Sequence, residues 1–494
     1  MKLSALLKNI KPVEILGDTN KEIYGISDNS ENIKKDYLFV AVTGFAKDGH
    51  DYIGEAIKNG AAAILTQRKV KTGGQSTQVI VPQSREALAR ISADFYGNPS
   101  ADLTIIGITG TNGKTTTSFL IDSVLKFAGK KTSIITTIES QILDRKIHFD
   151  RTTPGALELN KFAYESVKSG ADFLTMEVSS HAIDLHRIDF LDFDLFVFTN
   201  LTQDHLDYHE NMQNYFDAKK RLFIKEFRHL YSGRGAVINS DDFYGKKLID
   251  STDLKTLSYS VLLKDTDIKA ENISSSTTGI EMDVLVKDRG KIKIKSALCG
   301  YFNVYNILAS IGACVFLNID LDIIQKGISI MPGVCGRFEK IKEIRDFTVI
   351  VDYAHTPDGL ENILKTANSI LTAGSRIITV FGCGGDRDKT KRSIMGCITG
   401  KLSDYIIITS DNPRTEDPEE IISMIESGVK ESGHKDYLKI TDRESAIKKA
   451  LNTAVKNDIV IIAGKGHEDY QEFNGSRIYF SDQKIVKEWA LKQK

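Results

Sequence analysis

Gly110-Thr111-Asn112-Gly113-Lys114-Thr115-Thr116 puts a lysine and two threonines directly behind a glycine-rich turn. Glycines let the backbone wrap a polyphosphate so that consecutive N–H groups point inward. An apolar β-branched run (103–109) enters the turn, and Ser118, Phe119, Leu120, Val124 and Leu125 follow at helical spacing. Strand, phosphate loop and helix are predicted, and the helix N-terminus adds the positive end of its dipole. In such a loop Lys114 reaches the outer phosphates and the Thr115 hydroxyl sits on Mg²⁺. The spacing departs from the strict Walker form, since Ile108 stands five positions before Gly113 and the glycines fall at 107 and 110.

Further polar groups sit at predicted strand ends. Glu177 closes the run 172–178, where a carboxylate either shares Mg²⁺ with nucleotide phosphates or faces water. The stretch 199–209 holds two histidines (205 and 209) and two aspartates (204 and 207), suited to metal or phosphate contact or else a solvated loop. Lys219 lies on a predicted helix over 215–223 and, taken alone, reads as a solvated lysine. Asn303 and Asn306 open another helix, where their amides could meet an adenine edge or cap the helix. Arg337 follows a linker and could reach a γ-phosphate as domains close, or form a surface ion pair. No NKxD guanine signature is present.

The elements that must position these groups form three blocks. Residues 1–98 read as a small α/β domain, with strands at 36–42 and 78–81 and a helix over 53–63. Residues 99–331 alternate short apolar runs (132–137, 172–178, 195–199 and 236–239) with helical patterns, as in a mainly parallel sheet covered on both faces. Residues 332–494 repeat the layout with runs at 347–351, 376–381, 405–409 and 459–463. Ligands of such sheets bind beyond the carboxyl ends of the strands. The fold class is therefore α/β in three domains, the second built on a phosphate loop and the third doubly wound.

The 494 residues exceed what one core sustains, and 65 Lys plus Arg against 66 Asp plus Glu give no polycation for nucleic acid. No apolar run reaches membrane-spanning length. The first residues are too short in their apolar part for a signal peptide. Five cysteines, at 299, 314, 335, 383 and 397 without a CxxC, read as reduced thiols of a cytoplasmic protein.

Taken in order, the segments 107–117, 176–182, 200–209, 215–219, 300–306, 336–339, 352–358, 382–392, 411–418 and 464–468 resemble the Mur ligases of peptidoglycan synthesis. The resemblance runs almost end to end and is nearest to the branch that adds the third peptide residue. It implies a UDP-binding N-terminal domain, a central ATP-binding domain and a C-terminal Rossmann-like domain that closes on both. It implies that ATP phosphorylates the D-glutamate γ-carboxylate of UDP-N-acetylmuramoyl-L-alanyl-D-glutamate, after which the amine of meso-diaminopimelate displaces phosphate.

By the same resemblance the loop from Gly110 to Thr116, with Asn306 and Arg337, holds ATP. Thr115, Glu177, His205 and a carbamylated Lys219 (N6-carboxylysine) hold Mg²⁺. Lys114, Lys219, His205, Asp352 and His355 are the catalytic set. Thr152, Thr153, Ser179 and Arg187 match muramoyl-dipeptide positions. Arg387, Asp411, Asn412, Pro413, Arg414, Gly464 and Glu468 match those for the incoming amino acid.

Two departures stand out. Asp28-Asn29-Ser30 replaces a usual Asp-Ser-Arg, leaving Asn29 to hydrogen-bond uridine, and Leu185 stands where some members carry Gln. Arg414 suits the second carboxylate of diaminopimelate, its alternative being an ion pair with Glu416 or Asp417. A monomer is expected. The competing readings are a lysine-adding Mur ligase, a folylpolyglutamate synthase and a P-loop ATPase module without ligase activity.

Overall fold

The computed structural model describes residues 1–44, 47–74, 76–276 and 278–493. Three sheets organise it, one in each of the stretches 14–80, 104–296 and 339–463. The first is ordered Glu14–Leu16, Thr77–Ile80, Ala61–Thr66, Tyr37–Val40, Gly25–Ser27, and only the Glu14–Leu16 strand is antiparallel to its neighbour. The helix expected over 53–63 ends at Lys58, and the alanines beyond it begin a strand. Gly60, at φ +102°, breaks the helix. The following Ala63, Ile64 and Leu65 are fully buried between two parallel neighbours, and this pairing outweighs alanine's preference for helix.

The central sheet carries six parallel strands in the order Thr132–Ile135, Phe173–Glu177, Thr104–Thr109, Leu195–Phe198, Gly235–Asn239, Lys255–Ser260. One face packs Leu120, Ile121 and Val124 of the helix Lys114–Phe127 against Ile307, Leu308 and Ile311 of the helix Phe302–Phe316. The other packs Leu159, Phe162 and Ala163 of the helix Ala156–Lys168. Each such buried Leu, Ile, Val or Phe side chain contributes roughly 1.5–3 kcal/mol, so the phosphate-loop strand is held from both sides. The sheet then continues through Ile268–Ser276, Gly279–Val286 and Gly290–Ser296, the last two antiparallel to their neighbours. This meander lies outside the sequence expectation, although Lys291-Ile292-Lys293-Ile294-Lys295 alternates exposed and buried as a half-buried strand must.

The third sheet is ordered Glu339–Lys340, Thr348–Asp352, Ile459–Ala463, Ile377–Phe381, Tyr405–Ile408, Tyr437–Lys439, all parallel except the first. Helices Pro357–Ile370, Thr390–Leu402 and Pro418–Glu431 cover one face, and Arg443–Thr453 with Asp482–Lys492 the other. Among the described residues no helix is long and apolar enough to cross a membrane.

Candidate functional site

The phosphate loop leaves the middle of the central sheet. Gly110 and Gly113 have φ of +142° and +88°, a region that L side chains avoid. A Cβ at Gly110 would overlap Thr199 Oγ1, and one at Gly113 would overlap Asn306 Oδ1. The Thr111 N–H donates to the Asn200 carbonyl and the Asn112 N–H to Asn200 Oδ1, both at 2.9 Å. The expectation that consecutive loop N–H groups point inward is corrected at these two positions, where Asn200 takes them. The donors free of intrahelical partners are those of the following helix's first turn. Lys114 Nζ donates back to the carbonyls of Gly110 (2.9 Å) and Thr111 (2.7 Å). Burial lowers its pKa, which Glu177 and Asp204 partly oppose.

Glu177 does not face water: it is 1% exposed. Its Oε1 accepts from the Thr115 hydroxyl and the Thr137 N–H, both at 2.8 Å, and its Oε2 from the Thr137 hydroxyl at 3.0 Å. Lys219 is also 1% exposed, which overturns its reading as a solvated lysine. The helix runs Met212–Lys220 and turns Tyr215, Phe216, Ala218 and Lys219 inward. Lys219 Nζ donates to Gly110 O (3.2 Å) and Thr109 Oγ1 (3.3 Å) and lies 4.9 Å over the Tyr215 ring. Burial, with Lys114 nearby, pushes its pKa well below the usual lysine range.

His205 has φ +55°, and its ring lies 4.9 Å from that of His181. Burial, against the pull of Asp204, brings it down to about 3. Among the described residues no group of three His, Cys, Asp or Glu side chains is arranged to hold a metal. The expected set contains one carboxylate, one imidazole and one hydroxyl, and Lys219 as an amine brings no oxygen donor to it.

Residues of the third sheet complete the cleft. Arg337 donates to Thr115 Oγ1 at 3.1 Å and stacks 4.5 Å over the Tyr353 ring. Asp352 accepts from the N–H groups of Phe338 and Ala354, each at 2.6 Å, and so fixes the turn that presents Arg337. Burial pushes its pKa up to about 6 despite Arg337. His355 Nδ1 lies 2.9 Å from the Tyr353 carbonyl. Asn306 does not cap its helix; its amide donates to Asn303 Oδ1 at 2.8 Å while its oxygen abuts Gly113. These groups, with Thr116, line a cleft of about 760 Å³.

Thr152, Thr153, Ser179 and Arg187 gather beside Glu177. Thr153 Oγ1 donates to Glu177 O at 2.9 Å and accepts from the Ser179 N–H at 3.1 Å. Arg187 donates to Thr153 O at 3.0 Å, and Thr152 Oγ1 lies 3.2 Å from Thr137 Oγ1. Asn29 stands apart: its side chain caps the turn Ser30–Asn32 by accepting from the Glu31 N–H, and it does not line the cleft.

The remaining residues meet at the carboxyl edge of the third sheet. Lys465 is fully buried and donates to Asn412 Oδ1 (2.9 Å) and Glu468 Oε2 (3.1 Å), with Asp411 Oδ1 at 3.5 Å. Gly464, at φ +116°, has no room for a Cβ beside Asp411. Burial raises the pKa of Glu468, opposed by Lys465. Pro413 abuts Gly385, bringing two strand-end loops together. Arg414 donates to Gly385 O at 2.6 Å and pairs with Glu472 at 3.4 Å, not with Glu416 or Asp417. Arg387 is exposed and donates to Asp386 O. Sequence reasoning passed over Lys465, Asp358 and Tyr353 as functional groups. Lys465 lies between two glycines at a strand end, which was a usable signal; Tyr353 and Asp358 carried none beyond their segment.

Three family models match the chain: Mur ligase family, catalytic domain, over residues 22–96; Mur ligase middle domain over 108–314; and Mur ligase, glutamate ligase domain, over 336–466. A UDP-N-acetylmuramoyl-L-alanyl-D-glutamate–2,6-diaminopimelate ligase from Syntrophomonas wolfei is 43% identical, covering 99% of both chains. One of the same name from Caldanaerobacter subterraneus is 44% identical over 99% of this chain and 98% of its own. A solved structure titled as the same ligase superposes with TM-score 0.68 at 33% identity, covering 100% of this chain and 99% of that one.

Proposed function

This chain belongs to the Mur ligase family, and from that premise we propose how its residues perform the reaction. It is an ATP-dependent amide ligase of peptidoglycan precursor synthesis that joins meso-2,6-diaminopimelate to UDP-N-acetylmuramoyl-L-alanyl-D-glutamate. The observation that carries the reading is the convergence of Lys114, Thr115, Glu177 and Arg337 on one cleft beside Thr152 and Ser179. We assign residues 1–98 to the UDP-muramoyl substrate, 99–331 to ATP and 332–494 to the amino acid, in a cytoplasmic monomer.

ATP gives its γ-phosphoryl group to the D-glutamate γ-carboxylate. The amine of the incoming residue then attacks the acyl phosphate carbon, the C–O bond to phosphate breaks, and an amide remains. The reaction gathers anions, so the protein's task is to place cations where charge develops. Lys114 releases the carbonyls of its own loop to meet phosphate oxygens, and Arg337 approaches from the third domain, held by Asp352 and the Tyr353 ring. Thr152, Thr153, Ser179 and Arg187 orient the dipeptide.

Glu177 and the Thr115 hydroxyl are hard oxygen donors 2.8 Å apart, a pairing that suits Mg²⁺. With His205 and Lys219 in its carbamate form they would hold that ion, which neutralises phosphate charge when bound. Asn412, Arg414, Arg387 and Glu468 receive the amino acid. Phosphate release measured with and without both the UDP-dipeptide and diaminopimelate tests the reading. Release dependent on both supports it; release independent of them would mean a simple ATPase.

A further inference from the structure

Building on the ligase reading, we propose that the buried Arg392–Glu416 pair is a positioning device for amino-acid discrimination: it fixes the two loops that carry Arg387 and Arg414. Arg392 is fully buried in the first turn of the helix Thr390–Leu402, so it cannot itself touch a substrate. Its guanidinium grips Glu416 with both forks, NH1 to Oε2 and NH2 to Oε1, each at 2.9 Å. The same NH2 donates to Gly384 O at 3.2 Å, and Glu416 Oε1 also accepts the Asp386 N–H at 2.6 Å. One ion pair thus binds the Arg387 loop to the Arg414 loop.

Two further bonds draw the loops together. The Gly385 N–H donates to Asn412 O at 2.9 Å, and the Thr415 hydroxyl donates to Asp386 Oδ1 at 2.7 Å. Asp386 and Arg414 both sit at φ +52°, one in each loop. Aspartate tolerates that conformation, but a long side chain such as Arg414 holds it where surrounding contacts over-determine it. At Asp386, Glu416 supplies that contact, its carboxylate kept ionised down to about pH 2 by Arg392 with Lys389 3.2 Å away, while Arg414 is held by the carbonyls of Glu472 and Gly385. A planar bidentate pair sets both distance and plane, which a lysine cannot do. The separation of the two loops that carry Arg387 and Arg414 is thereby fixed, and with it the place from which both side chains would meet the second carboxylate of diaminopimelate.

The test uses the full-length enzyme, steady-state kinetics for all three substrates, and L-lysine as competitor. Arg392→Lys should raise KM for meso-diaminopimelate by about tenfold, the size of one lost charge-assisted hydrogen bond. It should cut the kcat/KM preference over L-lysine by a similar factor, with KM for ATP and the UDP-dipeptide moving by less than about twofold. The double variant Arg392→Met/Glu416→Met should stay folded, because apolar pairs commonly replace buried ion pairs without loss of stability, and should show the same loss of preference. A preference kept by either folded variant overturns the proposal, as does a parallel change in all three KM values. Wild-type enzyme that ligates neither amino acid would instead sink the ligase reading on which it rests, and the proposal with it.

Discussion

Asn112, on the phosphate loop, donates from its side-chain amide to Asp358 Oδ2 at 2.7 Å, across the joint between the second and third sheets. Thr202 Oγ1 approaches the same oxygen at 3.4 Å. Asp358 lies in the first turn of the helix Pro357–Ile370, so the bond ties that helix to the nucleotide loop. Asp358→Ala should lower kcat by about tenfold, one charge-assisted hydrogen bond, while Asp358→Asn, which keeps an acceptor, should stay near wild type. Equal losses in both would mean that the charge and not the link matters.

Lys114→Ala should cost a few kcal/mol of transition-state stabilisation, or about 10²–10³ in kcat. Its two present acceptors are loop carbonyls that water can satisfy, so the melting temperature should hardly move. Near-normal turnover in a folded variant would remove Lys114 from the reaction.

His209 is buried, stacks on Tyr215 at 5.1 Å between centroids, and lies 2.9 Å by Nε2 from Ser180 Oγ. Burial, with His181 nearby, pushes its pKa down to about 4 from 6.5. The unfolded chain therefore binds the proton first. The stability contributed is present above pH 6.5 and is lost as pH falls through about 4. Urea unfolding should show stability rising from pH 4 to 6.5, by up to roughly 1 kcal/mol per pH unit from this group. His209→Gln should flatten that slope; an unchanged slope would assign the effect elsewhere.

What could be read from the sequence was what is local in it. The phosphate loop is a contiguous strand, turn and helix, so Gly110, Gly113 and Lys114 announce it by their place between strand and helix although the spacing departs from the strict Walker form. The buried state of Glu177 and Lys219 was not legible, because each depends on which face of its element meets a distant one. Asn200 taking two loop N–H groups, and Arg392 serving Glu416 rather than solvent, are contacts between segments far apart in sequence. Polar pattern gives no sign of such partners. The Ile53–Ala63 stretch misled because alanine favours helix locally while the sheet demands a strand.

Arg414→Ala should erase most of the preference for meso-diaminopimelate over L-lysine. Its guanidinium donates through Nη1 to Gly385 O and pairs through Nε with Glu472, so the donors on Nη2 are the ones offered to a substrate carboxylate. Sites built around such a pair reject the analogue lacking the carboxylate by roughly 10⁴-fold. Comparable kcat/KM for the two amino acids in wild type, or full discrimination in the variant, would refute this role.

Lys219 should carry a carbamate in the active enzyme. Its amine is fully enclosed, and burial with Lys114 nearby favours the neutral form. A neutral amine is the nucleophile that carbon dioxide requires: nitrogen attacks carbon, a proton leaves, and an N-carboxylate remains. The product replaces an amine beside the phosphate loop with an anionic oxygen donor of the kind Mg²⁺ accepts, and so supplies what the set of Thr115, Glu177 and His205 lacks. Intact mass under gentle conditions should show one added carbon dioxide, lost in Lys219→Ala. That variant should be nearly inactive, and small carboxylic acids should restore part of its activity by filling the vacated space with a carboxylate. A fully active enzyme whose Lys219 is a plain amine would overturn the assignment.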